Sequence, residues 1–259
     1  MILAVGWTLV SAAAVAWAED PAERGLSIAQ EVDRRHSGYG DFSASLTMVL
    51  RNSRGQESQR VMQISSLEVS GDGDRSLCLF DHPPDIKDTA LLTHTHKTRD
   101  DDQWLYLPAL KRVKRIASSN RSGSFVGSEF AYEDIAVQEL EKYTYLALPD
   151  ETLDGTDCLV IERVPVDRKN SGYSRQRVWI DKAEYRTLKV EYYDRKGMLL
   201  KSLTLDGYER HADRFWRPGR MHMVNTQTGK STDLIWSDYR FGVGLKPEDL
   251  TTNALLRIR

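Results

Sequence analysis

The sequence predicts a mainly β protein, built as one large, curled antiparallel sheet of about 11 to 13 strands. Segments with a period of two residues recur through most of the chain. Turn residues separate them at hairpin length, for example at 52–55, 154–155 and 228–229. No helical pattern alternates with the strands, which argues against a parallel α/β sheet. Because a twisted sheet of this size cannot stay flat, we expect it to curl.

The N-terminal segment is apolar and carries no charge before Glu19. It ends in Ala-Trp-Ala at 16–18, a small-x-small cleavage pattern, although the basic region usual in a signal peptide is missing. We expect residues 1–18 to be a cleaved signal peptide and residues 19–259 to form a single domain. A membrane anchor is the alternative, since this run lies at the lower edge of the length that spans a bilayer.

Composition describes an ordinary folded protein, with 29% charged and 40% hydrophobic residues and a formal net charge of −2. This charge argues against nucleic acid as a partner. The two cysteines, Cys78 and Cys158, both lie in strand-like runs. We expect two buried thiols, and a disulfide is the open alternative. A zinc site is not expected, because structural zinc needs paired ligands at short spacing.

The predicted elements begin with a helix over 21–35, in which Ala22, Leu26 and Ala29 share one apolar stripe. From Gly40 the period changes to two, and 42–50 alternates as a strand with one buried face. The further predicted strands are approximately 59–69, 75–80, 88–96, 103–107, 111–116, 142–148, 158–165, 174–181, 187–194, 199–209, 215–224 and 231–241.

The centre of the chain predicts a β-hairpin followed by a lid. Pro108 has no N–H for a sheet, so a first strand should end before it, and 111–116 then restarts an extended pattern. The segment 117–135 is rich in Ser and Gly and is too long for a turn, which indicates a functional loop or lid. A short helical turn is expected within 133–141. The lid candidates are the embedded aromatic residues Phe125, Phe130 and Tyr132.

Catalytic and metal-binding patterns are weak. His94 and His96 lie two apart on a predicted strand and share a face, but no third metal ligand is identifiable. In 123–127 the middle residue is Phe125, whereas a nucleophile elbow requires Ser there. Three adjacent aspartates at 100–102 do not make a calcium loop. We therefore expect no enzyme activity, no metal and no cofactor; a Ser-His-Asp triad assembled across strands would contradict this.

A basic block lies on and after the second hairpin strand. In a strand, Lys111 and Arg115 point one way while Arg112 and Lys114 point the other, so the block does not form one basic face. We expect a sheet edge that charge protects from strand addition. The functional alternative is contact with anionic lipid headgroups or with an acidic partner surface. The residues of this prediction are Lys111, Arg112, Lys114, Arg115 and Arg121.

One stretch resembles a known family. The run WLYLPALKRVKRIASSNRSGSFVGSEFAYEDI, residues 104–135, resembles the signature of the outer-membrane lipoprotein-sorting protein family, relatives of the periplasmic lipoprotein carrier LolA. The resemblance implies that the sheet forms an incomplete, half-open β-barrel of the LolA/LolB type, whose apolar concave face is covered by an N-terminal helix and short lid helices. Weaker matches to later strands of the family are 178–181, 189–194, 221–223 and 241–245.

The resemblance also implies a function. It is that of a periplasmic carrier that binds the acyl chains of lipoproteins or other lipids and moves them towards the outer membrane. The implied partners are an efflux-type (RND/MMPL-like) inner-membrane exporter and an outer-membrane acceptor. The alternative is an envelope sensor or adaptor that binds a partner protein and carries nothing. We expect a monomer. The predicted cavity residues, which would equally fit a closed core, are Phe42, Leu46, Met48, Trp104, Tyr106, Val178 and Ile180.

Overall fold

The computed structural model describes residues 19–258, so the predicted signal peptide lies outside the described residues. Within 19–258, no helix is long and apolar enough to cross a membrane. The helices are α1 (Pro21–His36), α2 (Tyr132–Ile135) and α3 (Thr252–Leu255), and 3-10 turns span Pro108–Leu110, Ser118–Asn120, Leu140–Lys142 and Pro247–Asp249.

The strands confirm the prediction of a mainly β fold. Their bounds are β1 Asp41–Arg51, β2 Glu57–Leu67, β3 Arg75–His82, β4 Ala90–His94, β5 Asp102–Leu107, β6 Arg112–Ile116, β7 Tyr143–Leu153, β8 Thr156–Pro165, β9 Tyr173–Asp181, β10 Thr187–Asp194, β11 Leu199–Asp206, β12 Glu209–His211, β13 Phe215–Arg217, β14 Arg220–Asn225 and β15 Ser231–Phe241.

Thirteen strands form one antiparallel sheet in the order β6-β5-β4-β3-β2-β1-β15-β14-β11-β10-β9-β8-β7. The sheet is not closed, because β6 and β7 are its two edges and do not pair. This confirms the predicted half-open barrel, the predicted β5–β6 hairpin and the edge position of the basic strand.

The region 199–224 differs from the prediction. A single strand over 215–224 is wrong, because Pro218 lacks an N–H and separates β13 from β14. The predicted strand 199–209 also divides, at Gly207, into β11 and β12. β12 and β13 instead pair with each other as a separate hairpin.

Helix α1 begins and ends by recognisable capping interactions. The side chain of Asp20 accepts a hydrogen bond from the N–H of Ala22, and Pro21 occupies the first helical position. At the other end, the N–H of Ser37 donates to the carbonyl of Asp33, and Gly38 follows with φ at +84°. The helix is one residue longer than predicted.

The helix lies directly on β7 through a glycine. A Cβ added at Gly25 would lie 2.7 Å from the backbone N of Ala147 on β7. Since any larger side chain would clash with this strand, Gly25 sets how closely α1 approaches the sheet edge.

Alternation along the strands separates two faces of the sheet. The inner face carries the main hydrophobic core, with Met48, Met62 and Phe80 fully buried. On the outer face, Ala90 and Leu92 pack with the C-terminal segment 246–258. A smaller outer cluster of Cys158, Val160 and Trp179 lies on β8 and β9.

The connection from edge strand β6 to edge strand β7 is the segment 117–142, which we call the lid segment. It contains α2 and two 3-10 turns, in agreement with the predicted lid helices. Because it joins the two edges of an open sheet and packs on the inner face, it covers the part of the barrel that strands leave open.

Candidate functional site

An inner cavity of about 320 Å³ lies between α1, the lid segment and the strands β7 to β11 and β14. Its apolar wall comes from alternate positions on successive strands, which point to the same face. The polar part of the lining is Asp33, His36, Asp134, Gln138, Arg163 and Thr187. The apolar lining is Ala29, Val32, Phe130, Val137, Leu140, Tyr145, Ile161, Val178, Ile180, Val190, Tyr192, Leu203, Leu205 and Met221.

Two of the predicted cavity residues, Val178 and Ile180 on β9, line this cavity. Leu46 and Met48 on β1 are buried in the same inner core, and Phe42 packs against it, but these three do not line the cavity. They belong to the closed part of the half-barrel.

Trp104 and Tyr106 lie elsewhere. Both pack in the outer cluster with Leu92, whereas Leu105 between them packs on the inner core. The imidazole of His94 stands edge-on to the Trp104 ring at 5.1 Å between centroids. The structure therefore brings Trp104 and Tyr106 together with each other and not with the inner cavity.

The lid aromatics are inserted into the barrel. Phe125 and Phe130 are each 1% exposed and belong to the inner core, while Tyr132 is half-buried against it. The ring of Phe125 lies 6.0 Å from that of Phe80 and 5.7 Å from that of Tyr132, measured between centroids. The N–H of Phe125 donates to the carbonyl of Phe130 at 2.7 Å, so the tip folds as a tight loop. The lid segment thus fills part of the inner face of the barrel with its own aromatic side chains.

A buried ion pair, which we call the latch, fastens the lid to β11. Lys201 Nζ donates to Asp134 Oδ2 at 2.6 Å and to the carbonyl of Glu129 at 2.8 Å. The side chains of Lys201 and Asp134 are 5% and 3% exposed. The Tyr173 hydroxyl donates to Asp134 Oδ1 at 2.8 Å, and the ammonium lies 5.2 Å from the ring centroids of Tyr173 and Tyr192. Hydrogen bonds and ring faces therefore compensate the desolvation of this pair.

Further polar contacts hold the same end of the lid. Glu133 accepts hydrogen bonds from the Ser171 hydroxyl and the Gly172 N–H, each at 2.8 Å. Burial raises the pKa of the Glu133 carboxyl above its usual value, and these two donors partly oppose the shift. Burial also raises the pKa of Tyr173 well above its usual value, which keeps its hydroxyl protonated as a donor to Asp134.

The predicted basic block lies away from the cavity. Lys111, Arg112, Lys114 and Arg115 are exposed on or beside edge strand β6, and Arg115 pairs with Asp102. In the lid segment, Arg121 Nη2 lies 3.2 Å from Asp167 Oδ2.

The histidines and cysteines form no common site. His94 contacts the carbonyl of Leu250, and the ring nitrogens of His96 face Asp72 at 2.6 Å and Asp102 at 3.2 Å. Across residues 19–258, no group of three or more His, Cys, Asp or Glu side chains has the geometry to hold a metal. Cys78 and Cys158 are free and buried in different clusters, which confirms the expectation of two buried thiols.

Sequence reasoning missed most of the cavity wall and the latch. Alternation on β10 and β11 would have identified Val190, Tyr192 and Leu203 as same-face residues. Lys201 carried no such signal, because a lysine within an apolar strand pattern indicates an exposed side chain.

Several solved structures are similar to this chain, including the following three. A domain from Vibrio parahaemolyticus assigned to outer membrane lipoprotein-sorting proteins is 55% identical, with a TM-score of 0.89, over 91% of this chain and 100% of that chain. A DUF1329 family protein from Desulfovibrio piger is 32% identical, with a TM-score of 0.86, over 91% and 99%. A LolA superfamily protein from Nitrosomonas europaea shares the fold, with 21% identity and a TM-score of 0.72 over 89% and 98%.

A family model described as an uncharacterized protein matches residues 72–257, which is more than half of the chain. Among curated proteins, none matches. By its identity and full-length coverage, the chain belongs to the outer-membrane lipoprotein-sorting protein family, with a LolA-like fold.

Proposed function

We propose that the protein is a periplasmic carrier that binds the acyl chains of lipoproteins or other lipids in the inner cavity and moves them towards the outer membrane. The observation that carries the proposal is a largely apolar inner cavity that α1 and the lid segment cover, with the buried latch among the contacts that hold the lid segment in place. The family relationship supports it, since the Vibrio relative is assigned to lipoprotein sorting.

The cavity volume places a requirement on the mechanism. At about 320 Å³, it is at the lower end of the 300–1,000 Å³ that is usual for ligand pockets. A long acyl chain would therefore displace Phe125 and Phe130 from the inner core. Each buried methylene contributes about 0.8 kcal/mol, so a long chain supplies on the order of ten kcal/mol before ordering costs. This is enough to offset the exposure of two aromatic rings, at about 1.5–3 kcal/mol each.

Loading and release follow from the same geometry. Lid opening breaks the latch and lets a chain enter, and transfer to an acceptor lets the aromatic side chains return. The proposed partners are an efflux-type inner-membrane exporter of the RND/MMPL class and an outer-membrane acceptor, with the carrier acting as a monomer. No covalent step is required, so the proposed activity is binding and not catalysis.

The test is native mass spectrometry of protein purified gently from the periplasm, followed by solvent extraction. We expect bound lipid or acylated peptide. A clean apo mass, together with no uptake of a fluorescent fatty acid, would contradict the carrier.

The second candidate is an adaptor that binds a partner protein and carries nothing. The observation in its favour is that Phe125 and Phe130 already fill much of the inner face. An adaptor would keep these rings buried in every state, whereas a carrier must release them when lipid is added. Hydrogen exchange of 117–142 with and without fatty acid distinguishes the two.

A further inference from the structure

A second pocket, of about 230 Å³, lies at the C-terminal end of α1, where the helix faces the β12–β13 hairpin. It is strongly basic. Arg34 and Arg35 come from the helix, and Arg210 and Arg214 come from the hairpin, with Trp216 and Glu184 completing the wall. We call it the basic pocket.

The positive charges of the basic pocket are only partly neutralised. Glu31 accepts hydrogen bonds from both Arg34 and Arg35 at 2.7 Å, and Glu184 lies 3.9 Å from Arg35. Across residues 19–258, no carboxylate lies within ion-pair distance of Arg210 or Arg214. Two guanidinium groups therefore face the pocket without an anionic partner.

Arg214 is nevertheless held in place. Its Nη2 donates to the carbonyl of Ser37 at 3.0 Å, which leaves its other N–H groups for a ligand. The indole Nε1 of Trp216 donates to Glu184 Oε2 at 3.1 Å, which holds the Glu184 carboxylate against the wall of the basic pocket. A guanidinium offers paired N–H donors that fit two oxygens of a phosphate.

The basic pocket adjoins the inner cavity. His36, the last residue of α1, lines both, and Ala29 and Val32 of the same helix line the cavity. Burial lowers the pKa of His36 to about 4, so its ring is neutral at pH 7 and forms an uncharged boundary. One amphiphile can thus place an apolar chain beneath α1 and an anionic group beyond its C-terminal end.

We propose that the basic pocket binds the phosphate headgroup of an anionic lipid whose acyl chain occupies the inner cavity. This inference rests on the proposed carrier function and adds the class of cargo, an acylated phosphate-bearing amphiphile. In this proposal the basic residues of edge strand β6 take no part in headgroup recognition, because they line neither the basic pocket nor the inner cavity.

The test compares phosphatidylglycerol with diacylglycerol of identical acyl chains, which lacks the phosphate, each displacing a fluorescent fatty alcohol from delipidated protein. We expect the wild type to prefer phosphatidylglycerol by about tenfold, as expected for charge-assisted hydrogen bonds. Arg210→Gln/Arg214→Gln should bring the two lipids to near parity without weakening diacylglycerol binding. The matched control is Arg54→Gln/Arg257→Gln, which changes two exposed arginines outside the basic pocket and should keep the preference for phosphatidylglycerol.

Each other outcome is decisive. Equal binding of both lipids by the wild type would refute headgroup binding in the basic pocket but not the carrier function. The same conclusion would follow if Arg112→Gln/Lys114→Gln lost the preference for phosphatidylglycerol while Arg210→Gln/Arg214→Gln kept it. Inorganic phosphate that binds the pocket as tightly as the lipid identifies a free-anion site and overturns the lipid assignment. Failure of every amphiphile, the neutral alcohol included, contradicts the carrier itself.

Discussion

At the scale of single residues, His36 links stability to pH. Burial, then the nearby Arg217, lower its pKa to about 4, from an ordinary value of 6.5. A depressed histidine pKa means that the unfolded chain binds the extra proton first as the pH falls. The stabilisation is therefore complete above pH 6.5 and is lost progressively between pH 6.5 and pH 4.

We expect the free energy of unfolding in urea to fall by roughly 1–2 kcal/mol between pH 6.5 and pH 5 because of this residue. His36→Gln should flatten that slope. The exposed His82→Gln is the matched control. An unchanged slope in His36→Gln would show that other groups dominate.

Lys201 illustrates the cost of burying a charge. Replacing it by Met leaves the Asp134 carboxylate buried beside Tyr173 without its cation. Breaking a buried pair costs about 3–5 kcal/mol, whereas replacing both partners by apolar residues is often neutral. We expect Lys201→Met to lose about 3 kcal/mol in urea unfolding and Lys201→Met/Asp134→Leu to regain most of it. The exposed Lys230→Met should change little, and wild-type stability in Lys201→Met would remove the latch from the mechanism.

At the scale of elements, the contact between α1 and β7 opposes helix propensity. Gly25→Ala would gain about 1 kcal/mol if propensity alone decided. The added Cβ, however, would lie 2.7 Å from Ala147 N, and overpacking costs about 1–3 kcal/mol. Because backbone cannot yield as a side chain can, we expect a net loss of stability. Ser27→Ala, exposed on the same helix, should be slightly stabilising, and a Gly25→Ala protein that melts higher would refute the close contact.

The lid allows a test of whether a bound acyl chain takes the place of a lid side chain in the inner core. Phe130→Ala removes a fully buried ring that lines the inner cavity. We expect a loss of about 3–5 kcal/mol in the delipidated protein. Saturating fatty acid should restore much of this, because an acyl chain can fill the vacated volume. Fatty acid should not restore the stability of Phe241→Ala, because Phe241 lies outside the cavity lining. If fatty acid stabilised the wild type and Phe130→Ala equally, the acyl chain would not be replacing the Phe130 ring.

At the scale of the whole molecule, a lipid that binds only the folded barrel stabilises it by mass action. Ligand at a hundred times its Kd contributes about 2.7 kcal/mol. For a domain of this size that is a rise in Tm of roughly 5–10 °C. Leu203→Trp, which fills the cavity from β11, should abolish the rise, while the exposed Ile235→Trp keeps it. Far-UV circular dichroism checks that Leu203→Trp is folded, and a retained rise would place the lipid elsewhere.

Local pattern determined much of this architecture. The one-faced alternation of β1 and the hairpin end at Pro108 follow from neighbouring residues, so the sequence predicts them correctly. The stripe predicted on α1 is wrong at Ala22 and Leu26, which are exposed, and correct only at Ala29, which is buried. The family resemblance supplied the half-barrel and the lid. Alternation also places Val178 and Ile180 on one face, and both line the inner cavity, but the sequence did not determine that this face is the inner one.

Tertiary structure decided which face of each strand became the cavity. Alternation puts Trp104 and Tyr106 on the same face of the sheet but does not determine whether that face is inner or outer. In the structure it is the outer face, where both residues pack with the C-terminal segment. The latch joins Lys201 to Asp134, which is 67 positions away, so no local pattern could pair them. The sequence by itself thus determined the elements and the family, because short-range periodicity encodes them. Only the fold determined the cavity, the latch and the basic pocket, because each is assembled from strands and loops that are distant in the chain.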